Sequence, residues 1–425
     1  MPTDKASVKS GQIVVQKYGG SSLAGPERIL AVAKTISECL ATTPRLVVVL
    51  SAMGKATDEL VSLASQVARA PRGREMDLLL STGEQVSISL LGLALQSKGI
   101  PAIALTAAQC GIHTDSAFNF AQIQSIDTGR VISEIDAGRV VILTGFQGIT
   151  NDHEVTTLGR GGSDITAAAV AAALCASVCE IYTDVDGVLS GDPNRVPNAR
   201  LWPEISYEEA IEMGCSGAKV LHPRAAELCM SYGIPIHVRS SFKRAVGTMI
   251  RRGEEIMMER PAVLGVSSDK EISKVTLRDV PDRPGIAARV FQDLAAEGIN
   301  VRLIIQSAST EGRGRITFII DDVYLDGATR LVKQWKEAEV TSDGFIDPEV
   351  ANISIVGSRL ASAPGLAARM FAVLAREGIN IDCISSSEMK IACVIAANQL
   401  DLAVREIHDE FFSKDTAIST SEAGD

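Results

Sequence analysis

From residue 12 to about 250, short β-branched apolar runs alternate with longer amphipathic stretches. The runs at residues 13–16, 45–51, 102–106, 140–144, 180–183 and 234–238 read as strands, because short, nearly continuous apolar runs suit strands covered on both faces. Between them, residues 77–98 and 164–176 keep helical spacing, and a further helix begins at Pro26. This alternation predicts an open α/β sheet whose ligand sites gather at the carboxyl ends of its strands. The loops richest in glycine and polar residues follow such strands: Lys17-Tyr18-Gly19-Gly20, Ser51-Ala52-Met53-Gly54, Gly145-Phe146-Gln147-Gly148 and Thr183-Asp184-Val185-Asp186-Gly187.

The pattern changes at Arg251-Arg252-Gly253-Glu254-Glu255, which reads as a linker, and beyond it the chain repeats itself. Residues 284–300 and 364–380 both open on Pro-Gly, carry Ala-Ala-Arg and Phe at matching places, and close on Glu-Gly-Ile-Asn. Each copy follows a strand (274–278; 352–356) and precedes another (301–306; 381–385), with Gly-Ile-Asn as the helix stop. Two copies are too few for a solenoid and predict a paired α+β module. The expected organisation is an α/β domain over 12–250, a linker over 251–268, modules over 269–345 and 346–415, and a flexible tail over 416–425.

Composition narrows the class. The chain is 46% hydrophobic but 4% aromatic, which suits parallel strands packed under Ala-rich helices, and its net charge of -11 argues against a general nucleic-acid surface. Eight cysteines (Cys39, Cys110, Cys175, Cys179, Cys215, Cys229, Cys383 and Cys393) show no paired Cys-x-x-Cys pattern and read as reduced thiols of a cytoplasmic protein. The longest apolar stretches are interrupted by glycine or polar residues, so no transmembrane helix is expected.

Five segments carry candidate chemistry. Lys17-Tyr18-Gly19-Gly20-Ser21-Ser22 joins a strand to a helix start, where bare N–H groups and a lysine suit a phosphate, although no Gly-x-x-x-x-Gly-Lys-Ser/Thr occurs. Gly83-Glu84-Gln85 places a carboxylate at the start of an apolar helix, either for a ligand ammonium or for the helix dipole. Arg160-Gly161-Gly162-Ser163-Asp164 precedes an Ala-rich helix; Ser163 or Asp164 suits an N-cap, and Arg160 suits a bidentate carboxylate clamp. Tyr182-Thr183-Asp184-Val185-Asp186-Gly187 through Asp192-Pro193 is a polar loop whose Asp-x-Asp-Gly lacks the remaining ligands of a calcium loop. Gly217-Ala218-Lys219-Val220-Leu221-His222-Pro223 puts a lysine at a helix start, against the dipole.

In this order the segments make the chain closely similar to the bacterial aspartate kinases, of the amino-acid kinase fold with two C-terminal ACT domains of βαββαβ type, over residues 12–412. The resemblance implies transfer of phosphate from ATP to the side-chain carboxylate of L-aspartate, the entry to lysine, threonine and methionine synthesis. It implies Lys17 and Asp164 as catalytic residues, with Lys17 on the transferring phosphoryl group beside the N–H groups of Gly19, Gly20 and Ser21. Aspartate would be held by Thr57, Glu84, Arg160 and Ser163, with Glu84 on the ammonium and Arg160 on a carboxylate. ATP would be bound by Lys17, Tyr18, Gly19, Gly20, Ser21, Thr183, Asp184, Asp192, Lys219 and Val220, with Mg²⁺ held mainly by its phosphates. Lysine, threonine or both would act as effectors at Asp282, Gly285, Ile304 and Gln306 in the first module and Asn380, Ile381, Ser386 and Glu388 in the second. A homodimer or α2β2-type assembly through the ACT domains is expected, with no nucleic-acid or membrane partner.

Some positions depart from the family pattern. The guanidinium of Asp192-Pro193-Asn194-Arg195 stands one place later than in many relatives, and Gln306-Ser307 lacks the second amide of the usual pair. The turn from Gly357 to Pro364 also differs. Rival expectations are a pathway-dedicated or desensitised aspartate kinase, a related kinase acting on glutamate or N-acetylglutamate, and a non-catalytic amino-acid sensor. An internal start at Met257 or Met258, after Gly253-Glu254-Glu255, would yield a separate regulatory subunit.

Overall fold

A computed structural model describes residues 12–69, 71–255, 261–307 and 312–413; Met257 and Met258 lie outside the described residues. The chain divides into two compact units. Of the described residues, the first unit holds those up to 189 with 201–214 and 219–255, and the second holds 190–200, 215–218 and those from 261 onward.

In the first unit the strands are β1 (Val14–Tyr18), β2 (Leu46–Leu50), β3 (Ala102–Leu105), β4 (Ile112–Thr114), β5 (Ile123–Ile126), β6 (Val140–Thr144), β7 (Gln147–Ile149), β8 (Val155–Thr157), β9 (Val178–Thr183), β10 (Glu204–Ser206), β11 (Ile236–Ser240) and β12 (Thr248–Arg251). The helices are α1 (Pro26–Cys39), α2 (Ala56–Val67), α3 (Arg74–Leu80), α4 (Thr82–Gln96), α5 (Gly129–Asp136), α6 (Gly162–Ala173), α7 (Tyr207–Cys215) and α8 (Pro223–Tyr232). Eight strands form one sheet in the order β10-β12-β11-β9-β1-β2-β6-β3, parallel except between β11 and β12. β2 and β6 are buried along their whole length, which is why their sequences are unbroken apolar runs. The chain leaves β1 to β2 on one side and returns as β9 on the other, so the crevice beyond β1 is the switch point where a ligand fits.

Each predicted strand of this unit appears within a few residues of its expected bounds. The second sheet, β5-β4-β7-β8, was not foreseen, since strands of three or four residues carry too little alternation to read. The helix expected over 77–98 is two helices meeting at Ser81, whose hydroxyl donates to the Leu78 carbonyl at 2.8 Å. By length and composition the 23-residue stretch Arg74–Gln96 passes as a membrane span. Half of it is buried in this fold, where α4 packs on α1, β3 and β6.

The second unit is built from β13 (Gly265–Asp269), β14 (Ile272–Pro281), α9 (Ile286–Ala296), β15 (Leu303–Gln306), β16 (Arg313–Asp321), α10 (Leu325–Glu337) and β17 (Asp343–Asp347), then β18 (Val350–Val356), α11 (Leu366–Arg376), β19 (Cys383–Ser386), β20 (Lys390–Ala396) and α12 (Leu400–Phe412). The first repeat makes the antiparallel sheet β15-β16-β14-β17, and the second makes β13-β18-β20-β19. Phe318 and Trp335 anchor the first core; Met370, Leu374 and Ile407 sit in the second.

Two expected boundaries need correction. Residues 251–268 are not simply a linker: Arg251 ends β12, and β13 pairs antiparallel with β18 of the second repeat, Gly265 opposite Val356. β13 takes the place beside β18 that β17 takes beside β14 in the first repeat. Residues 190–200 fall in the second unit because Val196 enters the second repeat's core and Arg195 meets Asp401 at 2.8 Å and Ser268 at 2.7 Å. The displaced guanidinium is thus held by structural partners.

Candidate active site

Strand alternation sends Lys17 to the face of β1 covered by α6, where its Nζ lies 2.7 Å from the Asp164 carboxylate. Both side chains are about a tenth exposed, at 12% and 11%, so the pair is fixed yet within reach of a ligand. Asp164 occupies the first turn of α6, and its other oxygen accepts the His222 N–H at 3.3 Å. Burial pulls the His222 pKa below its ordinary value, which keeps this neighbour neutral near pH 7.

The glycine-rich turn before α6 is demanded by this packing. Gly161 is left-handed at φ 70°, and a Cβ there would stand 2.3 Å from the His222 ring. Gly161→Ala is therefore expected to destabilise the protein by about 2 kcal/mol through left-handed strain alone, with the clash adding to it. A denaturant titration beside the wild type measures the difference.

The turn after β1 is a short 3₁₀ helix, Gly20–Leu23, open at its N-terminus. The Gly19 N–H is already donated to the Tyr182 carbonyl at 3.3 Å, which leaves the Gly20 and Ser21 N–H groups at the open turn. Gly20 is pressed against the turn after β2: a Cβ would lie 3.0 Å from the Ala52 and Gly54 carbonyls, and the Gly54 N–H donates to the Gly20 carbonyl at 2.9 Å. Ser22 is joined at 2.6 Å to Ser241, just beyond β11. The carboxyl ends of β1, β2, β9 and β11 are thus tied together around the turn.

Glu84, in the first turn of α4, is 3% exposed. One oxygen accepts the Ala52 N–H at 3.0 Å, and the other is buried without a partner. Desolvation raises its pKa to about 8, with the Ala52 hydrogen bond opposing the shift. A buried carboxylate that lacks a cation is poised to accept one. Gly83 permits the approach, since a Cβ there would meet the Ala52 methyl at 2.8 Å.

The remaining expected residues divide. Thr57 is half-buried in the first turn of α2, Ser163 is buried against Gly145, and Arg160 is exposed on the turn before α6. Thr183, with its hydroxyl 3.1 Å from Asp184, belongs to the first unit with Lys219 and Val220. Asp192 belongs to the second unit, where its carboxylate caps its own turn through the Asn194 N–H at 2.9 Å and side-chain amide at 3.0 Å. The Tyr18 side chain is not at the turn: it is buried on the opposite face of the sheet from Lys17, stacked on Tyr182 at 4.5 Å. Within the second unit, Asp282, Gly285 and Asn380 are exposed in strand–helix or helix–strand turns, with Ile381 half-buried beside Asn380. Ile304 and Gln306 lie on edge strand β15, Ser386 ends edge strand β19, and Glu388 is exposed just beyond it.

Several residues escaped the sequence reading. On the sheet face opposite Lys17, Gln16 donates to Glu180 at 2.7 Å and the half-buried Arg239 donates to Glu180 at 2.9 Å, forming a polar frame. The signal was a lone glutamine closing an apolar run at residues 13–16. Ser241 carried no comparable signal. Asp77, fully buried on α3, was visible only as an acid within an apolar stretch.

Residues 12–240 match the amino acid kinase family, and residues 275–340 and 353–411 each match the ACT domain. An aspartokinase of Geobacillus stearothermophilus is 45% identical over 400 residues, which cover 94% of this chain and 97% of that protein. E. coli aspartokinase III, solved with aspartate and ADP, matches with a TM-score of 0.82 and 26% identity over 94% of this chain and 100% of that one. The same enzyme solved with lysine and aspartate matches at 0.69 and 26% identity over 94% and 99% of the two chains.

Proposed function

The chain belongs to the amino acid kinase family and, within it, to the aspartokinases, and from that membership we propose which residues perform the transfer and what controls it. The reaction is ATP-dependent phosphorylation of aspartate. A carboxylate oxygen of aspartate forms a bond to the γ-phosphorus while the bond to the ADP oxygen breaks, giving 4-phospho-L-aspartate. The nucleophile is already ionised, so no base is needed, and positioning with charge neutralisation carries the catalysis.

Lys17 meets the charge developing on the transferring phosphoryl oxygens, with the Gly20 and Ser21 N–H groups beside it. Asp164 holds the lysine in place before the nucleotide arrives, as the 2.7 Å ion pair suggests. Glu84 takes the substrate ammonium, Arg160 takes the α-carboxylate, and Thr57 and Ser163 complete the aspartate pocket. The observation that carries this reading is the unpartnered, buried Glu84 oxygen, which a bound ammonium satisfies. Thr183, Asp184, Lys219 and Val220 serve the nucleotide. Asp192 has its carboxylate engaged in its own turn, which makes it the weakest member of that set.

Mg²⁺ fits this donor set as a passenger on the ATP phosphates, where it neutralises charge. Among the described residues no three His, Cys, Asp or Glu side chains stand together as a metal cage. The two ACT domains make feedback by lysine, threonine or both the natural control, at the turn and edge-strand positions named above. An ACT-mediated dimer or larger assembly in the cytoplasm, serving lysine, threonine and methionine synthesis, completes the reading.

Acyl phosphate trapped with hydroxylamine, assayed with lysine and threonine absent, single and combined, tests it. Turnover on aspartate that falls with either or both amino acids is the expected result and names the effector. Turnover insensitive to both overturns the feedback assignment in favour of a desensitised, pathway-dedicated enzyme.

A further inference from the structure

The Asp77 side chain is fully buried on α3, and its two oxygens gather four donor groups, from the loop at Asn119 and from the end of β8. The Asn119 N–H reaches one oxygen at 2.9 Å, and the Asn119 side-chain amide bonds the other. The Thr157 N–H donates at 2.8 Å and the Thr157 hydroxyl at 2.7 Å. Asn119 is held left-handed at φ 71°, and its amide oxygen accepts the Gly73 N–H at 2.8 Å, so the knot also ties down the entrance to α3.

The two ends of this knot lead to the two ends of the aspartate pocket. Asp77 stands seven residues before Glu84, on the helix pair whose joint at Ser81 is itself held by the Gln147 side chain at 3.0 Å. Thr157 ends β8 and stands three residues before Arg160. Past Thr157, the Leu158 carbonyl accepts from Arg224 at 3.3 Å, and Gly159 turns at φ 79°. One carboxylate therefore bonds the helices that carry the ammonium-binding group to the strand that launches the carboxylate-binding group.

We propose that Asp77 is a positioning residue that sets the spacing between Glu84 and Arg160, and with it the length of amino diacid the enzyme accepts. The inference rests on the reading that those two residues hold the substrate. Asp77 touches neither substrate nor nucleotide; it acts through Thr157 on Arg160. Asparagine cannot replace it, because an amide has one acceptor oxygen and turns an N–H₂ group toward the Thr157 or Asn119 donors. Glutamate is a carboxylate but carries one methylene more than this fully buried position holds, which overpacks it.

In the full-length enzyme, Asp77→Asn is expected to raise KM for aspartate about 10- to 100-fold, as a displacement of about 1 Å in a positioning group does. KM for ATP should stay within about twofold, and the preference for L-aspartate over the one-carbon-longer L-glutamate should narrow. Thr157→Val, which removes only the hydroxyl donor, should show the same split on a smaller scale and decides the matter if Asp77→Asn does not fold. Arg160→Ala is run alongside, and the double variant Asp77→Asn/Arg160→Ala should lose little beyond Arg160→Ala alone. If Arg160→Ala leaves KM for aspartate unchanged, the aspartate-site reading fails. If Arg160→Ala raises it while Asp77→Asn and Thr157→Val leave it alone, or raise both KM values equally, Asp77 is only a structural residue and the proposal is overturned.

Discussion

Lys17→Ala is expected to lower kcat by about a thousandfold while KM for aspartate moves by no more than about threefold. The magnitude follows from the chemistry. With no proton to move, the barrier lies in gathering negative charge at the transferring phosphoryl group, and a cation aimed at that charge acts mainly in the transition state. Lys17 is well placed to do so because β1 is paired on both edges, to β2 and β9, and Asp164 at 2.7 Å holds the ammonium. A rigid strand presents the charge without reorganisation. Single-turnover formation of acyl phosphate, with both substrates saturating, isolates the chemical step. A loss below tenfold would mean that another cation, such as Lys219, supplies most of the stabilisation.

Glu84→Gln should trade function for stability. The glutamine loses the charge proposed to receive the substrate ammonium, so KM for aspartate is expected to rise by about a hundredfold or more, the cost of an unmatched buried cation. The free protein should become more stable at alkaline pH. Burial holds the Glu84 pKa at about 8 in the folded chain, against 4.5 as its ordinary value. As pH rises through that interval the unfolded chain releases its proton first, so the folded state loses stability from pH 4.5 to about 8 and no further above it. The full penalty is at most on the order of 5 kcal/mol, from 1.36 kcal/mol for each pH unit of that gap. Glutamine does not titrate and escapes it. Thermal melts of both proteins at pH 6 and 9 should therefore diverge, with the variant ahead at pH 9; equal melting points at both values would sink the assignment of a strained carboxylate.

The same group makes substrate affinity depend on pH. On the role proposed for Glu84, aspartate binding below about pH 8 drives a proton off this group. KM for aspartate should fall as pH rises from 6 to 8, by up to about tenfold per unit, and level off above. Proton release measured calorimetrically in two buffers of different ionisation enthalpy reports the event directly.

These effects depend on residues that differ in how far the sequence exposed them. Lys17, Glu84, Arg160 and Asp164 stood out in the sequence as candidates, because each is a charged residue beside a glycine turn or inside an apolar helix, while the roles proposed for them came from the family resemblance. Asp77, Ser241 and the Gln16–Glu180–Arg239 frame did not stand out. Their meaning comes from partners 42 to 219 residues away, as with Asp77 and Asn119 or Ser22 and Ser241, and no local pattern records such a pairing.

The alternation of apolar runs and helical stretches, and the repeated Pro-Gly to Gly-Ile-Asn segment, determined by themselves that this protein is an open α/β domain followed by two α+β modules. Burial forces that periodicity on every strand and helix, so it is written locally. Only the tertiary structure decided that β13 completes the second repeat, that residues 190–200 pack with that repeat, and that Tyr18 turns away from the site that its neighbour Lys17 enters. Strand partners, segment allegiance and the choice of sheet face arise from long-range pairing, whose energetics depend on which surfaces meet and not on the residues next in line.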